Sequence, residues 1–235
     1  MALRVITLRR ARMLSPKVRE LTFDAGAGFA FKPGQWISLK FPQAGSDDPL
    51  ARSYSIASAP RADGTIDVAV TRVEGGPAST LLHAMAVGES LEAADPMGFF
   101  TLPPRLDRPL LLVGTGTGVA PLRSMIESLE GAPDAPPVTL LFGVRRREDL
   151  LYGDEFAALA ARDPRFRFEP TLSRPDPGWP GRTGYVQHHL PAMLADAPEA
   201  DVYVCGLNAM VRDARKVLRD TLGLPRDRVH SERFD

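Results

Sequence analysis

Several functional classes are excluded by what this sequence lacks. It contains a single cysteine, Cys205, in 235 residues, which rules out an intrachain disulfide and an iron–sulfur cluster held by four cysteine thiolates. A lone cysteine is typical of a protein from a reducing compartment, so we expect a cytoplasmic location. No apolar stretch approaches the roughly 20 residues that a membrane-spanning helix needs. The first 23 residues lack the apolar core of a secretion signal and are interpreted as a first strand, with an arginine-rich transit peptide as the alternative.

The chain also lacks net charge, because 29 Lys+Arg are balanced by 29 Asp+Glu. It therefore has no overall electrostatic attraction to nucleic acid or to an anionic membrane, and neither is expected as a partner. The pair His188 and His189 is adjacent in sequence, whereas histidine ligands on a helix are spaced about a turn apart. No metal site is predicted.

The first hundred residues carry the pattern of short antiparallel strands. Alternating or β-rich runs occur at 18–23, 36–41, 52–57 and 65–73, and turn residues separate them, among them the stretch 44–49. One helix is predicted at about 78–86. This spacing favours a small antiparallel β-barrel.

The pattern changes at residues 103–109, where three prolines in seven residues prevent regular pairing. We place a domain boundary there and predict two domains, 1–103 and 104–235. In the second, strand-like runs alternate with helical ones, which is the pattern of a parallel α/β sheet whose ligands bind at the carboxyl ends of the strands. The predicted strands are 110–113, 138–142, 166–172 and 202–205, and the predicted helices are 120–130, 153–161, 186–194 and 209–222.

A glycine-rich loop opens the second domain. The sequence LLLVGTGTGVAPLRS, residues 110–124, reads as a strand, a tight turn and a helix start. Glycines at 114, 116 and 118 let the backbone approach a ligand and leave N–H groups at a helix N-terminus for phosphate oxygens. It is neither G-x-G-x-x-G, because Val119 takes the third glycine position, nor a P-loop, because no Gly-Lys-Ser/Thr follows. A nucleotide is the expected ligand.

The first domain offers a second phosphate-type site. Residues 74–83, EGGPASTLLH, combine two glycines and two hydroxyls at a helix start. The nearby strand 52–58, RSYSIAS, carries an arginine, a phenol and hydroxyls. One site of this kind in each domain indicates two nucleotides.

Taken together, these motifs resemble the ferredoxin–NADP reductase superfamily of flavoproteins. RSYSIAS resembles its R-x-Y-S flavin motif, VTRVEGGPAST its pyrophosphate segment, and GTGTGVAPLRS its nicotinamide-nucleotide loop. VYVCGLNAM resembles its C-G-x-x-x-M strand end, and ERFD its C-terminal Glu-x-aromatic. The motifs follow the family's order from FKPGQ, residues 31–35, to the end of the chain. The resemblance implies an FAD-binding barrel at 1–103 and an NAD(P)-binding α/β domain at 104–235.

The resemblance also implies roles for residues of the barrel. Tyr54 would pack on the isoalloxazine, Arg52 would pair with the flavin phosphates, and Ser55 would hydrogen-bond near the reactive flavin nitrogen. FMN is the alternative to FAD, because no aromatic residue is identified that would stack on adenine. The residues implied for the ribityl chain, adenosine and pyrophosphate are Val70, Thr71, Arg72, Gly76, Ala78, Ser79 and Thr80.

In the second domain, the resemblance implies that Cys205 lies against the nicotinamide and that Glu232 helps to position the hydride donor. With Ser55 they form the implied catalytic set. Phe234 would cover the flavin ring; it replaces the tyrosine of plant-type enzymes, and Asp235 extends beyond it. The implied nucleotide-loop residues are Thr115, Gly116, Thr117, Gly118 and Gly206.

The choice between NADPH and NADH depends on the residues that meet the 2′ position. After the second α/β strand the chain offers Arg145, Arg146 and Arg147 for a phosphate, followed by the acids Glu148 and Asp149. A further set resembles the Ser-Arg and Lys-x-Tyr residues with which the family binds the 2′-phosphate and adenine, although its arginine is one place from the lysine position. NADPH is predicted over NADH. This set is Ser173, Arg174, Arg182 and Tyr185.

The function implied is hydride transfer from NADPH to bound FAD, with electrons passed on to a ferredoxin- or flavodoxin-type carrier. A free-flavin or small-molecule reductase is the alternative enzyme, and a non-catalytic nucleotide-sensing or electron-transfer subunit is the alternative outside the enzymes. A short-chain dehydrogenase is excluded, because no lysine stands four residues after Tyr152, Tyr185 or Tyr203. If the carrier is acidic, arginines near the N-terminus are candidates for steering it. They are Arg9, Arg10, Arg12 and Arg19.

Overall fold

A computed structural model describes residues 3–43 and 46–234. The chain divides into two compact units: Met1–Leu102 with Arg123–Ser128, and Pro103–Leu122 with Leu129–Asp235. The proline-rich residues 103–109 contain no helix or strand, as their composition predicts.

The first unit is an antiparallel barrel. Its sheet has the strand order β4-β3-β6-β1-β2-β5, and a bridge between Ile56 and Val68 joins the end of β4 to β5, the other edge of the sheet. The predicted antiparallel barrel is confirmed. Its elements are β1 (Leu3–Ser15), β2 (Val18–Asp24), β3 (Trp36–Gln43), β4 (Ser46–Ser55), β5 (Thr65–Thr71), α1 (Pro77–Ala84) and β6 (Ser90–Ala94).

The barrel core follows from the two-residue period of its strands. On β3, Ile37, Leu39 and Phe41 are all buried, because alternate side chains of a strand point to the same face. They pack with apolar side chains of the other strands, among them Phe23 and Val68.

A buried ionic cluster lies beside the flavin-motif strand of this unit. Asp67 is 1% exposed and accepts hydrogen bonds from Arg61 (2.7 Å) and from the Thr22 hydroxyl (2.7 Å). Arg123 lies 3.5 Å from Asp67 and also donates to the Ala57 carbonyl at 2.9 Å. Burial by itself would raise the pKa of Asp67, but the bonds from Arg61 and Thr22 and the charges of both arginines outweigh it, so the pKa is lowered.

The second unit is a parallel sheet with the order β10-β9-β8-β7-β11-β12. Every neighbouring pair is parallel, which confirms the predicted α/β sheet. Leu110, Leu111, Leu112 and Val113 are each at most 2% exposed, as expected for a strand covered on both faces. Its elements are β7 (Leu110–Thr115), α2 (Val119–Leu129), β8 (Val138–Val144), α3 (Gly153–Arg162), β9 (Phe166–Leu172), β10 (Arg182–Thr183), α4 (Leu190–Asp196), β11 (Asp201–Leu207), α5 (Asn208–Lys216) and β12 (Val229–Phe234).

Some boundaries differ from those predicted. The helix expected at 186–194 is a 3₁₀ turn followed by α4, because Pro191 suits the start of a new helix rather than the interior of a longer one. The helix expected at 209–222 is α-helical only to Lys216 and continues as a π-helical turn, Val217–Thr221. Within the predicted turn 44–49, residues 46–49 belong to β4, while Ala44 and Gly45 lie outside the described residues.

Across residues 3–43 and 46–234, no helix is long and apolar enough to cross a bilayer. The same residues contain no group of three or more His, Cys, Asp or Glu side chains arranged to hold a metal ion.

The Asp67 cluster generates a stability prediction. Asp67→Asn leaves two arginines facing a neutral amide in a buried site, and we expect the free energy of unfolding at pH 7 to fall by about 3 kcal/mol. Because the pKa of Asp67 is lower in the folded chain, its contribution is fully present above the unfolded value of about 3.9 and is lost as the pH falls through the folded value. The difference between wild type and Asp67→Asn should therefore shrink below about pH 4.

Urea unfolding followed by circular dichroism measures this difference. The matched control is Asp95→Asn, which removes an exposed ion pair with Arg4 and should cost less than about 1 kcal/mol. Equal losses for the two variants would contradict the assignment.

Candidate active site

The topology of the second unit creates a crevice between β7 and β11. From β7, the chain adds β8, β9 and β10 on one side and β11 and β12 on the other. The neighbouring strands β7 and β11 thus form a topological switch point, where the connections leave in opposite directions and open sheets bind ligands.

Register at this point brings three predicted features together. Cys205 on β11 pairs with Gly114 on β7 and with Glu232 on β12. Neighbouring strands lie about 4.8 Å apart, so the start of the glycine loop and two predicted catalytic residues stand side by side.

The glycine loop is shaped by two glycines with different constraints. Gly116 has φ +54° and would meet no other atom within 4 Å if it carried a Cβ. A Cβ on Gly118, in contrast, would overlap the backbone carbonyl of Cys205. Gly118 therefore permits close packing against β11, and Gly116 lets the backbone turn beside open space.

One side chain in this crevice has an unused polar atom. Thr115 Oγ1 is buried and has no hydrogen-bond partner among the described residues. A Cβ on Gly206, which has φ +149°, would overlap that atom. A buried hydroxyl without a partner is costly unless a ligand satisfies it, so this atom supports the prediction that Thr115 and Gly206 meet a ligand.

Cys205 is fully buried. Burial first, and the nearby charge of Glu232 second, raise the pKa of its thiol well above the ordinary value. At neutral pH it is a neutral thiol, which neither attacks as a nucleophile nor ligates metal as a thiolate. It can shape a surface and make a weak S–H contact.

Backbone hydrogen bonds bring together two of the arginines predicted for the nucleotide 2′ position. The Arg174 N–H donates to the Arg145 carbonyl at 2.9 Å, and the Ser173 N–H donates to the Val144 carbonyl at 3.0 Å. Arg145 and Arg174 are both exposed. The ends of β8 and β9 thus present two cations and a hydroxyl at one edge of the sheet.

The other predicted members of that set are placed differently. Arg182 donates to Glu169 at 2.8 Å, so its charge already has a carboxylate partner. Tyr185 is 61% exposed, which leaves its ring open to stack on a base. Asp149, an alternative acid for ribose hydroxyls, accepts the Arg146 N–H at 3.1 Å and closes its own turn.

In the first unit, the flavin-motif residues lie at the end of β4. Arg52 is exposed and Ser55 is 9% exposed. Burial raises the pKa of Tyr54 to about 12, and the charge of Arg52 opposes that rise. This electrostatic effect places Arg52 close to Tyr54, as expected for residues two apart on one strand.

The N-terminus of α1 is built to receive an anion. Its N-cap is Gly76, which provides no capping side chain, and the first turn has no acid, so backbone N–H groups remain for a ligand. The Ser79 hydroxyl, predicted as a phosphate donor, instead lies 3.1 Å from the Gly76 carbonyl and 3.3 Å from the Val73 carbonyl. That expectation is corrected: the hydroxyl shapes the loop, and only the Ser79 backbone N–H is available.

The remaining predicted residues of this unit line the approach to α1. Val70 is buried, while Thr71, Arg72 and Thr80 are exposed. His83 of α1 lies with Nε2 2.9 Å from the Val70 carbonyl, which fixes the helix against β5.

The sequence reasoning missed a group of cations on α5 and β12. Arg212, Arg215, Lys216 and Arg219 follow the spacing i, i+3, i+4, i+7, which places side chains on one helix face, and they share a pocket with Arg233. The signal was present in the sequence, but zero net charge drew attention away from local charge.

Comparison with known proteins agrees with this geometry. Residues 5–102 match the family described as oxidoreductase FAD-binding domain, and residues 112–216 match the oxidoreductase NAD-binding domain. The chain is 48% identical to ferredoxin–NADP reductase B of Sorangium cellulosum, over 95% of this chain and 94% of that protein. It is 34% identical to the electron transfer component of toluate 1,2-dioxygenase from Pseudomonas putida, of which it covers 62%.

Among solved structures, the chain is similar to a ferredoxin–NADP⁺ reductase from Neisseria gonorrhoeae with bound FAD and NADP. The TM-score is 0.85 at 25% identity, and the match covers 99% of each chain. These matches confirm the family resemblance and the predicted two-domain fold class, so this chain belongs to the ferredoxin–NADP reductase family of FAD- and NAD(P)-binding oxidoreductases.

Proposed function

We propose that the chain takes a hydride from NADPH onto FAD and delivers electrons to a ferredoxin- or flavodoxin-type carrier. The observation that carries this proposal is the register of Gly114, Cys205 and Glu232 at the switch point of the parallel sheet. It sets a nucleotide loop beside a neutral thiol and a carboxylate, which suits positioning of a nicotinamide rather than covalent chemistry.

The described residues fit a dinucleotide in the second unit. Thr115 Oγ1 has a free hydrogen-bonding capacity, and Gly116 borders open space. We assign the pyrophosphate to the N–H groups of Thr117 and Gly118 near the start of α2. Cys205 and Gly206 supply a flat, uncharged surface for the nicotinamide ring, and Glu232 orients it through its carboxylate.

The first unit fits a flavin diphosphate. The uncapped N-terminus of α1 and the exposed guanidinium of Arg52 both favour an anion. We assign the pyrophosphate to the N–H groups of Ala78 and Ser79 with the Thr80 hydroxyl, and the ring to Tyr54, Ser55 and Phe234. Val70, Thr71 and Arg72 accommodate the ribityl chain and adenosine.

FAD, when bound, supplies the redox chemistry, since it can accept a hydride and release electrons singly. The chain contributes alignment and electrostatics. Tyr54 stays protonated, because its pKa is raised to about 12, so it presents a neutral ring and a hydrogen-bond donor. Cys205 stays neutral for the same reason of burial, so no added negative charge opposes the approach of a hydride.

We assign the preference for NADPH to Arg145 and Arg174. Both are exposed, and neither has an ion-pair partner in the part of the chain that the structure describes. The Ser173 hydroxyl and the Tyr185 ring complete this site. Arg182, bound to Glu169, supports the segment that carries Tyr185 instead of meeting the phosphate directly.

The domain boundary at 103/104 and a cytoplasmic location remain part of this proposal. A cytoplasmic location is supported by the single, buried and free Cys205, which suits a reducing compartment. The carrier is a separate protein, because one cysteine cannot hold an iron–sulfur cluster.

Steady-state turnover of the FAD-loaded chain with NADPH tests the function. Ferredoxin, flavodoxin, free flavin and oxygen are compared as acceptors in parallel. We expect the highest kcat/KM with a protein carrier. A preference for free flavin would favour the small-molecule reductase, and FAD that NADPH cannot bleach would favour the nucleotide-sensing subunit.

Two substitutions test the nicotinamide-positioning residues. Cys205→Ala and Glu232→Gln should each slow flavin reduction by about tenfold or more, because small errors in alignment reduce hydride transfer strongly. FAD affinity should change less than the rate. Stopped-flow absorbance measures reduction and fluorescence titration measures FAD binding, with the exposed Glu199→Gln as the control. Unchanged reduction rates would remove both residues from the assigned set.

A second pair of substitutions tests the nucleotide preference. Arg174→Leu should weaken NADPH binding by about 2 kcal/mol, roughly thirtyfold, because it removes a charged hydrogen bond to the 2′-phosphate. NADH, which lacks that phosphate, should be affected little. The control is Arg146→Leu, whose guanidinium is already paired with Asp176 at 3.1 Å. If Arg174→Leu weakens NADPH and NADH equally, the assignment is wrong.

A further inference from the structure

The search for a carrier surface begins with the arginines that the sequence suggested. Arg9 is paired with Asp24 and Arg12 with Glu20. Arg19 donates to the Leu82 and His83 carbonyls at the end of α1, where a cation stabilises the helix C-terminus. Three of the four N-terminal arginines are thus engaged within their own unit, which leaves little charge for a partner.

A stronger cationic surface lies on α5 and β12. A pocket of about 380 Å³ is lined by Val211, Asp220 and five cations. We call these five side chains the basic face. They are Arg212, Arg215, Lys216, Arg219 and Arg233.

Most of this charge is not neutralised within the chain. Arg212 pairs with Asp213 at 2.9 Å. Over residues 3–43 and 46–234, the structure shows no ion pair for Arg215, Lys216, Arg219 or Arg233. The single carboxylate of the pocket, Asp220, leaves the basic face strongly positive although the whole chain is neutral.

The fold itself gains little from this arrangement. Arg212 with Lys216, and Arg215 with Arg219, are like charges at i, i+4, which cost a helix about 0.2–0.5 kcal/mol per pair. The helix dipole favours cations only in the last turn. Because the helix continues through the π turn Val217–Thr221, with the Leu222 N–H donating to the Val217 carbonyl at 2.9 Å, that turn contains Arg219 but not Arg212 or Arg215.

The basic face is separate from the residues assigned to the nucleotide 2′-phosphate. Arg145 and Arg174 follow β8 and β9, whereas Arg233 lies on β12, at the other edge of the sheet. Three strand spacings separate β8 from β12, about 14 Å. The face nevertheless borders the candidate site, because Arg233 pairs with Gly206 and Phe234 pairs with Leu207.

We propose that the basic face is the docking surface of an acidic, one-electron carrier protein. This rests on the proposed function, since it requires that reduced flavin pass electrons to a separate protein. Complementary charge steers such a partner and raises its association rate. The adjoining Leu207, 65% exposed, offers an apolar contact next to Phe234, the residue assigned to the flavin ring.

Charge reversal tests the docking surface. For Arg215→Glu/Arg219→Glu, we expect the KM for an acidic [2Fe–2S] ferredoxin to rise about tenfold at low ionic strength, while NADPH-dependent ferricyanide reduction is unchanged. The KM of the wild type should rise with added salt, and that of the variant should depend on salt less. Arg105→Glu/Arg226→Glu, which changes the net charge equally at exposed positions, is the control.

The outcomes separate this proposal from the function on which it rests. An unchanged ferredoxin KM in the variant, with normal ferricyanide reduction, overturns the docking surface alone; so does a rise in the KM for NADPH, or a larger effect of Arg9→Glu/Arg10→Glu. Absence of NADPH-dependent reduction in the wild type overturns the function. If the double variant does not fold, Lys216→Gln/Arg219→Gln removes two charges without reversing them and should raise the ferredoxin KM in the same direction.

Discussion

The close contact between the glycine loop and β11 is the constraint on which the candidate site depends. Gly118 has no room for a side chain against the Cys205 carbonyl, and this contact holds the loop at the end of its neighbouring strand. Parallel pairing then fixes the rest, because the register that aligns Gly114 with Cys205 also aligns Cys205 with Glu232. A nucleotide loop, a neutral thiol and a carboxylate are therefore positioned by backbone hydrogen bonds, which is the most rigid support a site can have.

The barrel relies on a different kind of support. Its flavin-motif strand leads into Ala57 and Ser58, and these backbone groups are held by the Asp67 cluster: the Ala57 N–H donates to the Asp67 carbonyl at 2.7 Å, and the Ser58 hydroxyl accepts the Asp67 N–H at 3.1 Å. Polar groups so deeply buried must be satisfied together, since an unpaired one costs as much as several good contacts provide. We interpret the cluster as a device that fixes the conformation of the segment following Ser55.

Sequence periodicity predicted the elements whose apolar residues are regular, and missed those whose pattern is short or mixed. The strand at Phe166–Leu172 was predicted with the observed bounds, while β12, which carries Glu232, was not: its sequence VHSERF is mostly polar and half-buried, as befits an edge strand. Motifs identified Cys205 and Glu232 as candidates, but only the register shows that they are neighbours. The engagement of Arg182 by Glu169 and of Ser79 by its own loop could not be read from sequence, because both depend on local geometry that composition does not encode.

Charge gives the sharpest contrast between the whole chain and its parts. A formal net charge of zero argues against a long-range field but says nothing about segregation, since a helix with cations at i, i+3, i+4 and i+7 concentrates them on one face whatever the total. A short-range basic face on a neutral protein attracts a partner only when that partner is already within about a Debye length, near 10 Å. Such a surface orients an encounter without binding polyanions indiscriminately, and this is the property that a reductase needs if it is to release its carrier after each electron.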